Sequence, residues 1–573
     1  MEHKSTSAIQ LILDYLRHEG VEYIFGVPGG PLTMLYKALA EQDGITPILA
    51  KHEEGAAFMA DGYARVRQGL GACCASTGPG STNALTGIAA AYADSIPVLL
   101  LTAQIAVAAL GKGAAQESSP FGVDTIELFK HVTKLSAAIP HEQKVAELTQ
   151  RALRLALSGR SGPVHLSIAG DVAGKPVPHK LIPPHQYRPE NRPVDLDSLS
   201  QVAELLTNHQ RVCILAGHGV NLSGGAAALR QLAEEQHIPV ATTPKAKGVF
   251  PENHPLSLGV FGFSGHPQAE QYIFSDQLEV LVVIGSGLGE IATHAWNPRL
   301  MPAKALVQID IDPEMIGVNY PVNVGVVADA RTALVELKKL LPPNSSSRAS
   351  SLAQAKDPLP RYHEAHLLEA EHSPLYPPRM IRAMQAILPE DTMLFVDIGN
   401  CMPWFLHYYE VRHPHSFFLG LGLGSMGSSL GMAIGGKLAA PHRPAVAVLG
   451  DGAFTMNGLE IHTAAEYNIP VIFIVLNDGG FAMVDQGENL LFGKSVSPSR
   501  YKNALDLCSV AQGLGVKAFR VSTPSEFEEV LQKCLDLNEP CLIDAQVDPQ
   551  LIPPTLRMRA ETLKSYFEGK TRH

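Results

Sequence analysis

The chain has 573 residues, enough for three or four domains at about 150 residues each. Hydrophobic residues make up 46% and charged residues 18%, which is enough apolar material for several cores and for interfaces between copies. With 45 Lys and Arg against 56 Asp and Glu, the net charge is −11, which argues against a nucleic-acid or anionic-membrane surface.

The opening stretch is amphipathic, capped near Ser7 and stopped at Gly20, which predicts a helix and not a signal peptide. No run of 18 apolar residues occurs, so no membrane-spanning helix is expected. Seven cysteines without a C-x-x-C pair read as free thiols of a reducing, cytoplasmic compartment. A short strand follows at residues 23–25 and runs into Val27-Pro28-Gly29-Gly30. A second, at 45–50, leads to His52-Glu53-Glu54 and a helix through Arg65. A strand at 71–77 feeds the Gly78-Pro79-Gly80 turn and a helix start at Asn83, and a further strand begins at Pro97. Glu53 in a first helical turn has an ordinary explanation, because a carboxylate there favours the helix dipole.

Residues 175–194 are proline-rich, and residues 341–360 are rich in Pro, Ser and Ala; both read as linkers. They divide the chain into segments 1–174, 194–340 and 361–555, each alternating apolar strands with amphipathic helices. That alternation predicts three doubly wound α/β domains with parallel sheets. In the middle segment, Gly217-His218-Gly219, Gly285-Ser286-Gly287 and Asp310-Ile311-Asp312 each follow an apolar strand. The layout is Rossmann-like, but neither glycine pair completes GxGxxG, which weakens a nicotinamide reading.

The most specific signal lies in the last segment. The strand at 445–449 ends at Gly450-Asp451-Gly452, and the strand at 471–476 ends at Asn477-Asp478-Gly479-Gly480. Glycines here allow a tight turn and close approach of backbone to a ligand. Open α/β sheets bind ligands at this edge. Two carboxylates and a bare carbonyl at one sheet edge suit Mg²⁺ holding a diphosphate. A glycine turn around an Asp is common in loops; the second acid at a neighbouring strand end makes the pattern selective.

The spacing resembles the diphosphate-and-metal motif of thiamine diphosphate (ThDP) enzymes, with Asp478 where Asn is usual. The series GVPGG, KHEEGAAFMADGYAR, STGPGSTNALTGIAAAYADSIPVL, Gln116-Glu117, Ser161-Gly162-Pro163-Val164, Asp397-Ile398-Gly399-Asn400 and Gly424-Ser425-Met426-Gly427 resembles the acetolactate synthase family over nearly the whole chain. The resemblance implies pyrimidine-binding, central and diphosphate-binding domains. It implies Asp451, Asp478 and the Gly480 carbonyl as Mg²⁺ ligands, with Asn477 just outside. It implies Glu53 as the carboxylate on the aminopyrimidine ring, with Gln116 and Gly29 facing the reacting carbon. Glu54 is expected as a solvated neighbour, and His52 as a packing or capping residue in preference to an acid/base. Met426, an adaptable side chain, would wedge between the cofactor rings beside the Gly424 carbonyl. Pro28, Asn83, Gly399, Asn400, Gly450, Gly452, Ala453, Phe454, Phe481 and Ala482 complete the cofactor set, with backbone N–H groups on phosphate.

The same resemblance implies a dimer or tetramer in which Glu53 of one chain meets the metal site of another. It leaves open whether the central domain holds FAD, an ADP group or nothing: the Arg that many FAD-bound members carry is absent from residues 287–290. The expected reaction is decarboxylation of a 2-oxo acid, with pyruvate as donor, and transfer to a carbonyl acceptor. A simple decarboxylase or C–C lyase is the alternative, and a non-catalytic nucleotide-binding protein the remote one. Ala115 precedes Gln116 where an aromatic is usual, and residues 483–487 lack the usual Trp. An acceptor different from that of the biosynthetic acetohydroxyacid synthases is therefore expected.

Overall fold

The computed structural model describes residues 5–189, 192–342 and 359–567. Ser7 accepts a hydrogen bond from the Gln10 N–H and caps the Ala8–His18 helix, as the sequence predicts. Three six-stranded sheets follow, all with parallel neighbours. The first runs Thr46–Leu49, Tyr23–Gly26, Gly71–Ala75, Val98–Gln104, Val164–Ala169, Ser136–Ile139. In the third the order is Phe417–Leu419, Met393–Val396, Ala445–Gly450, Val471–Asn477, Cys541–Gln546, Lys517–Val521. The middle sheet places Val212–Ala216 beside Val280–Ile284, with Val240–Thr242 on its other side. In each sheet the chain first winds outward to one side, then crosses to the other. The resulting switch points lie beside Gly26, between Ala216 and Ile284, and between Val396 and Gly450. A crevice opens at such points, past the carboxyl ends of the strands.

Near-continuous apolar strands such as Val471–Asn477 are buried on both faces, as parallel sheets require. The first and third domains also share a core. The Glu53–Arg67 helix lies against the Ser428–Ala439 helix, and both are almost wholly buried. Glycines make that approach possible: a Cβ on Gly435 would lie 1.9 Å from the Met59 carbonyl oxygen, and one on Gly62 2.1 Å from that of Met432. No larger residue fits at this crossing.

The described residues of the proline-rich stretch 175–194 are not a free linker. Pro176–Pro178 pairs antiparallel with Ser5–Ser7, and the Tyr187 hydroxyl donates to Glu19 at 2.5 Å. Proline-rich composition disfavours regular structure, but an edge pairing tolerates Pro and stitches this segment to the first domain. Most of the second linker lies outside the described residues. Among the described residues no helix is long and apolar enough to cross a membrane.

Candidate active site

At the switch point of the third sheet, Asp451 begins the Asp451–Asn457 helix and is buried. Its carboxylate accepts from the Gly452 N–H at 2.9 Å and the Gly479 N–H at 3.0 Å, so the two strand ends are tied together through it. Burial pushes its pKa up to about 6. Asp478 is nearly buried, and burial first, then the Asp451 carboxylate, pushes it up to about 8. Asp478 Oδ1 has no hydrogen-bond partner. A cation between these two carboxylates would relieve both the desolvation and the repulsion, so the donor set fits a hard divalent ion. Among the described residues there is no cluster of three or more His, Cys, Asp or Glu able to hold a metal; what the structure brings together here is the pair of carboxylates. Asn477 turns away and donates to Asp544 at 2.9 Å.

The surroundings form a cradle. Side chains built on Gly399, Gly424, Gly450 and Gly479 would meet nothing within 4 Å, so these four backbone positions border open space. Gly452 is the tight one, since a Cβ there would come within 2.9 Å of the Phe481 ring and 3.5 Å of the Met426 methyl. Ala453, Phe454 and Ala482 are buried beneath the edge. Asn400 donates to Gln486 at 3.2 Å while its own Oδ1 is buried without a partner. The turn carrying Gly424 and Met426 is held at its downstream end by Asp397, whose buried carboxylate accepts from the Gly427 and Ser429 N–H groups, both at 2.8 Å. Burial lifts Asp397 to about 6 despite these bonds.

Two residues that the sequence reading passed over belong here. Arg500 donates to the Asp478 carbonyl at 2.7 Å and to Asp485 at 2.8 Å, and lies 3.7 Å from Asp478 Oδ1. It sets a positive charge beside the acid that replaces the usual amide. Glu460, buried, accepts from the Lys51 and His52 N–H groups at 3.0 Å and from Thr463 at 2.9 Å. It thereby fixes the backbone leading into Glu53 to the third domain, and burial lifts it to about 7.

A second constellation stands at the edge of the first sheet. Glu53 opens its helix and accepts from Asn83 at 3.0 Å. Gly80 is close enough that a Cβ would fall 2.9 Å from Glu53 Oε1. Gly29, after the exposed Pro28, packs on Ser76, where a Cβ would meet Oγ at 2.5 Å. Gln116 takes a left-handed conformation, φ 61°, against Gly78, and its carbonyl accepts from Thr77 at 2.8 Å. His52 is a cap: its Nδ1 accepts from the Glu54 N–H at 3.2 Å. Glu54 departs from expectation. It is half-buried beside Asn457 of the third domain, and burial raises its pKa. The cause is the close packing of its helix on the third domain, which composition cannot reveal.

Glu53, Asn83, Gly29 and Gln116 thus share one edge, and Asp451, Asp478, Gly480, Gly424 and Met426 another. Among the described residues no hydrogen bond joins the two groups within the chain. Glu54 faces the chain's own third domain while Glu53, one position along the helix, turns to Asn83.

At the switch point of the middle sheet a cavity of about 810 Å³ is lined by Gly219, Gly285, Ser286, Asp310 and Asn319, among others. Gly217 and Gly219 pack directly on Gly285, where side chains would meet backbone at 2.3 and 2.7 Å. No Arg stands at residues 287–290, but Arg160, Arg188 and Arg192 border the same space from the first domain and its trailing segment.

Three family descriptions match in chain order: the thiamine pyrophosphate enzyme N-terminal TPP binding domain over residues 6–126, the central domain over 199–337 and the C-terminal TPP binding domain over 397–545. A protein of Methanocaldococcus jannaschii described as a probable acetolactate synthase large subunit is 34% identical over 572 residues, covering 96% of this chain and 94% of that one. A Methanococcus aeolicus protein of the same description is 33% identical, with 96% and 94% covered. The acetolactate synthase of Arthrospira platensis is 32% identical, with 95% and 94% covered. The chain belongs to the acetolactate synthase large subunit family of ThDP-dependent enzymes.

Proposed function

We propose that the chain is a ThDP- and Mg²⁺-dependent carboligase that decarboxylates a 2-oxo acid, with pyruvate as donor, and passes the fragment to a carbonyl acceptor. The observation that carries this reading is the pairing of buried Asp451 with nearly buried Asp478, whose Oδ1 has no hydrogen-bond partner, and the four glycines opening the space before them. When bound, ThDP supplies carbanion chemistry that side chains lack. Asp451, Asp478 and the Gly480 carbonyl would hold the metal. Gly399, Asn400 and the first amides of the Asp451–Asn457 helix would meet the diphosphate. Met426 and the Gly424 carbonyl would orient the aminopyrimidine, and Glu53 would hydrogen-bond its ring nitrogen and move a proton there.

The complete site joins two chains. Glu53 is turned away from its own third domain, and both edges carry exposed apolar side chains: Phe121 and Val123 on the first, Leu423, Leu459, Val484 and Phe492 on the third. Patches of this kind mark interfaces, and a second copy would cover them with the matching edge. The acceptor side lacks an aromatic at Ala115 and a Trp at residues 483–487. Apolar pockets discriminate by only about 1–3 kcal/mol per methylene, so an aldehyde or ketone is the expected acceptor. The middle cavity, with paired glycines at a switch point and Asp310 at a strand end, fits an adenine nucleotide; the absorbance spectrum of the purified protein separates FAD from ADP.

The test is a panel of 2-oxo acids, each with aldehyde, ketone and 2-oxo acid acceptors, assayed for CO₂ and for products by mass spectrometry. Carboligation products from pyruvate and an aldehyde or ketone are expected. Free aldehyde alone would make the chain a decarboxylase or lyase. Efficient formation of acetolactate or acetohydroxybutyrate in preference to every aldehyde tested would overturn the acceptor reading.

A further inference from the structure

The loop from Gly420 to Met426 carries Gly424 and Met426, read above as cofactor contacts, and its residues Gly422 and Leu423 are exposed to solvent. Its downstream end is fixed by Asp397. Its upstream end is fixed from another domain. Asp94, on the last turn of the Leu85–Asp94 helix and 1% exposed, accepts from the Gly422 N–H at 2.9 Å. Contact is close enough that a Cβ on Gly422 would lie 2.5 Å from Asp94 Oδ1 and 2.7 Å from the Ala93 carbonyl.

Asp94 is itself clamped. Arg65 Nη2 donates to its Oδ2 at 2.8 Å, and Lys245 Nζ reaches Oδ1 at 2.6 Å. Arg65 is also paired with Asp61 through two donors. Two carboxylates and two cations therefore balance in a cluster in which Asp61, Arg65 and Asp94 are buried and Lys245 reaches in from a partly exposed position, and paired charges of this kind persist. Lys245 comes from the middle domain and lines its cavity, so the cluster ties all three domains to the loop. A carboxylate oxygen bonded to a backbone N–H sets the position of that peptide strongly, because the bond is charge-assisted.

We propose that Asp94 is a positioning residue: anchored by Arg65 and Lys245, it holds the Gly422 end of the loop so that Gly424 and Met426 stand where the aminopyrimidine binds. This rests on the reading of those two residues as cofactor contacts. Asp94 touches neither cofactor nor substrate.

Hydrogen–deuterium exchange of the peptide covering residues 420–427 in the full-length chain without cofactor reads the anchoring directly. Calorimetric titration with ThDP in the presence of Mg²⁺ reads its consequence. Asp94→Asn keeps the shape but loses the charge, and Gly422→Ala pushes the loop off an intact Asp94. Asp61→Asn damages the other limb of the same cluster without touching the loop, and serves as the structural control. Both loop-side variants are expected to speed exchange in the peptide and to raise the ThDP dissociation constant, each on the order of tenfold. Asp61→Asn is expected to lower thermal stability while leaving both readouts unchanged. Unchanged exchange in Asp94→Asn, or equal effects from Asp61→Asn, would overturn the proposal. Faster exchange with unchanged ThDP affinity would uphold the anchor and overturn the assignment of the loop to the cofactor.

Discussion

Replacing Glu53 by Gln separates the proposed chemistry from the fold. The carboxylate is buried, with Asn83 at 3.0 Å as its hydrogen-bond partner. Glutamine preserves shape and an acceptor oxygen, so the loss is the difference between a charged and a neutral hydrogen bond, about 1 kcal/mol. That is a small part of a stability of about 5–15 kcal/mol, and the chain stays folded. Loss of a positioned proton-transfer group costs about 10²–10⁴-fold in rate, or roughly 3–5 kcal/mol of barrier at 1.36 kcal/mol per decade. The activity loss therefore far exceeds anything attributable to unfolding. The assay is exchange of the C2 proton of bound ThDP for deuterium, followed by NMR, with the thermal midpoint as control. Near-normal exchange in a folded Glu53→Gln protein would refute the role. Glu54→Gln should leave exchange largely intact, with only a modest stability change from its half-buried place beside Asn457.

Asp451→Ala is expected to lose Mg²⁺ and with it ThDP by calorimetry, while Asp478→Asn retains both; normal ThDP binding by Asp451→Ala in the presence of a chelator would contradict the metal assignment. Gly435→Ala forces a methyl against the Met59 carbonyl and should lower stability by about 1–3 kcal/mol, read as a fall in the thermal midpoint. Glu460 gives a pH dependence. Its pKa is raised from the ordinary 4.5 to about 7 by burial, so the stability tied to its protonated form is complete below about pH 4.5 and is lost as pH rises through about 7. Glu460→Gln should remove that part of the pH profile of the thermal midpoint, and an unaltered profile would show that the carboxyl does not titrate in this range.

Much of the architecture was legible because parallel α/β domains write themselves locally. Apolar strand runs ending in glycine or acid, and caps such as Ser7, depend on near neighbours alone, and all three sheets follow from them. The acids at Asp451 and Asp478 were legible because strand ends in such sheets converge on one edge. What the sequence hid depends on contacts across domains. Asp94 looks like an ordinary helix-end acid until Gly422, more than three hundred residues away, is seen bonded to it. Glu460, Arg500 and the half-buried Glu54 carry no local pattern that marks them. Proline content misled at Pro176–Pro178, because pairing with Ser5–Ser7 is a tertiary event.

The central claim, that the catalytic site is assembled from Glu53 of one chain and Asp451 of another, is tested most directly by mixing two inactive proteins. Glu53→Gln and Asp451→Ala chains, dissociated together and reassembled, form mixed pairs in which one site has both an intact Glu53 and an intact Asp451. Restored CO₂ release from pyruvate in the mixture, with each parent inactive after the same treatment, is the predicted result. A mixture as inactive as its parents, with mixed pairs demonstrated by native mass spectrometry, would contradict the account.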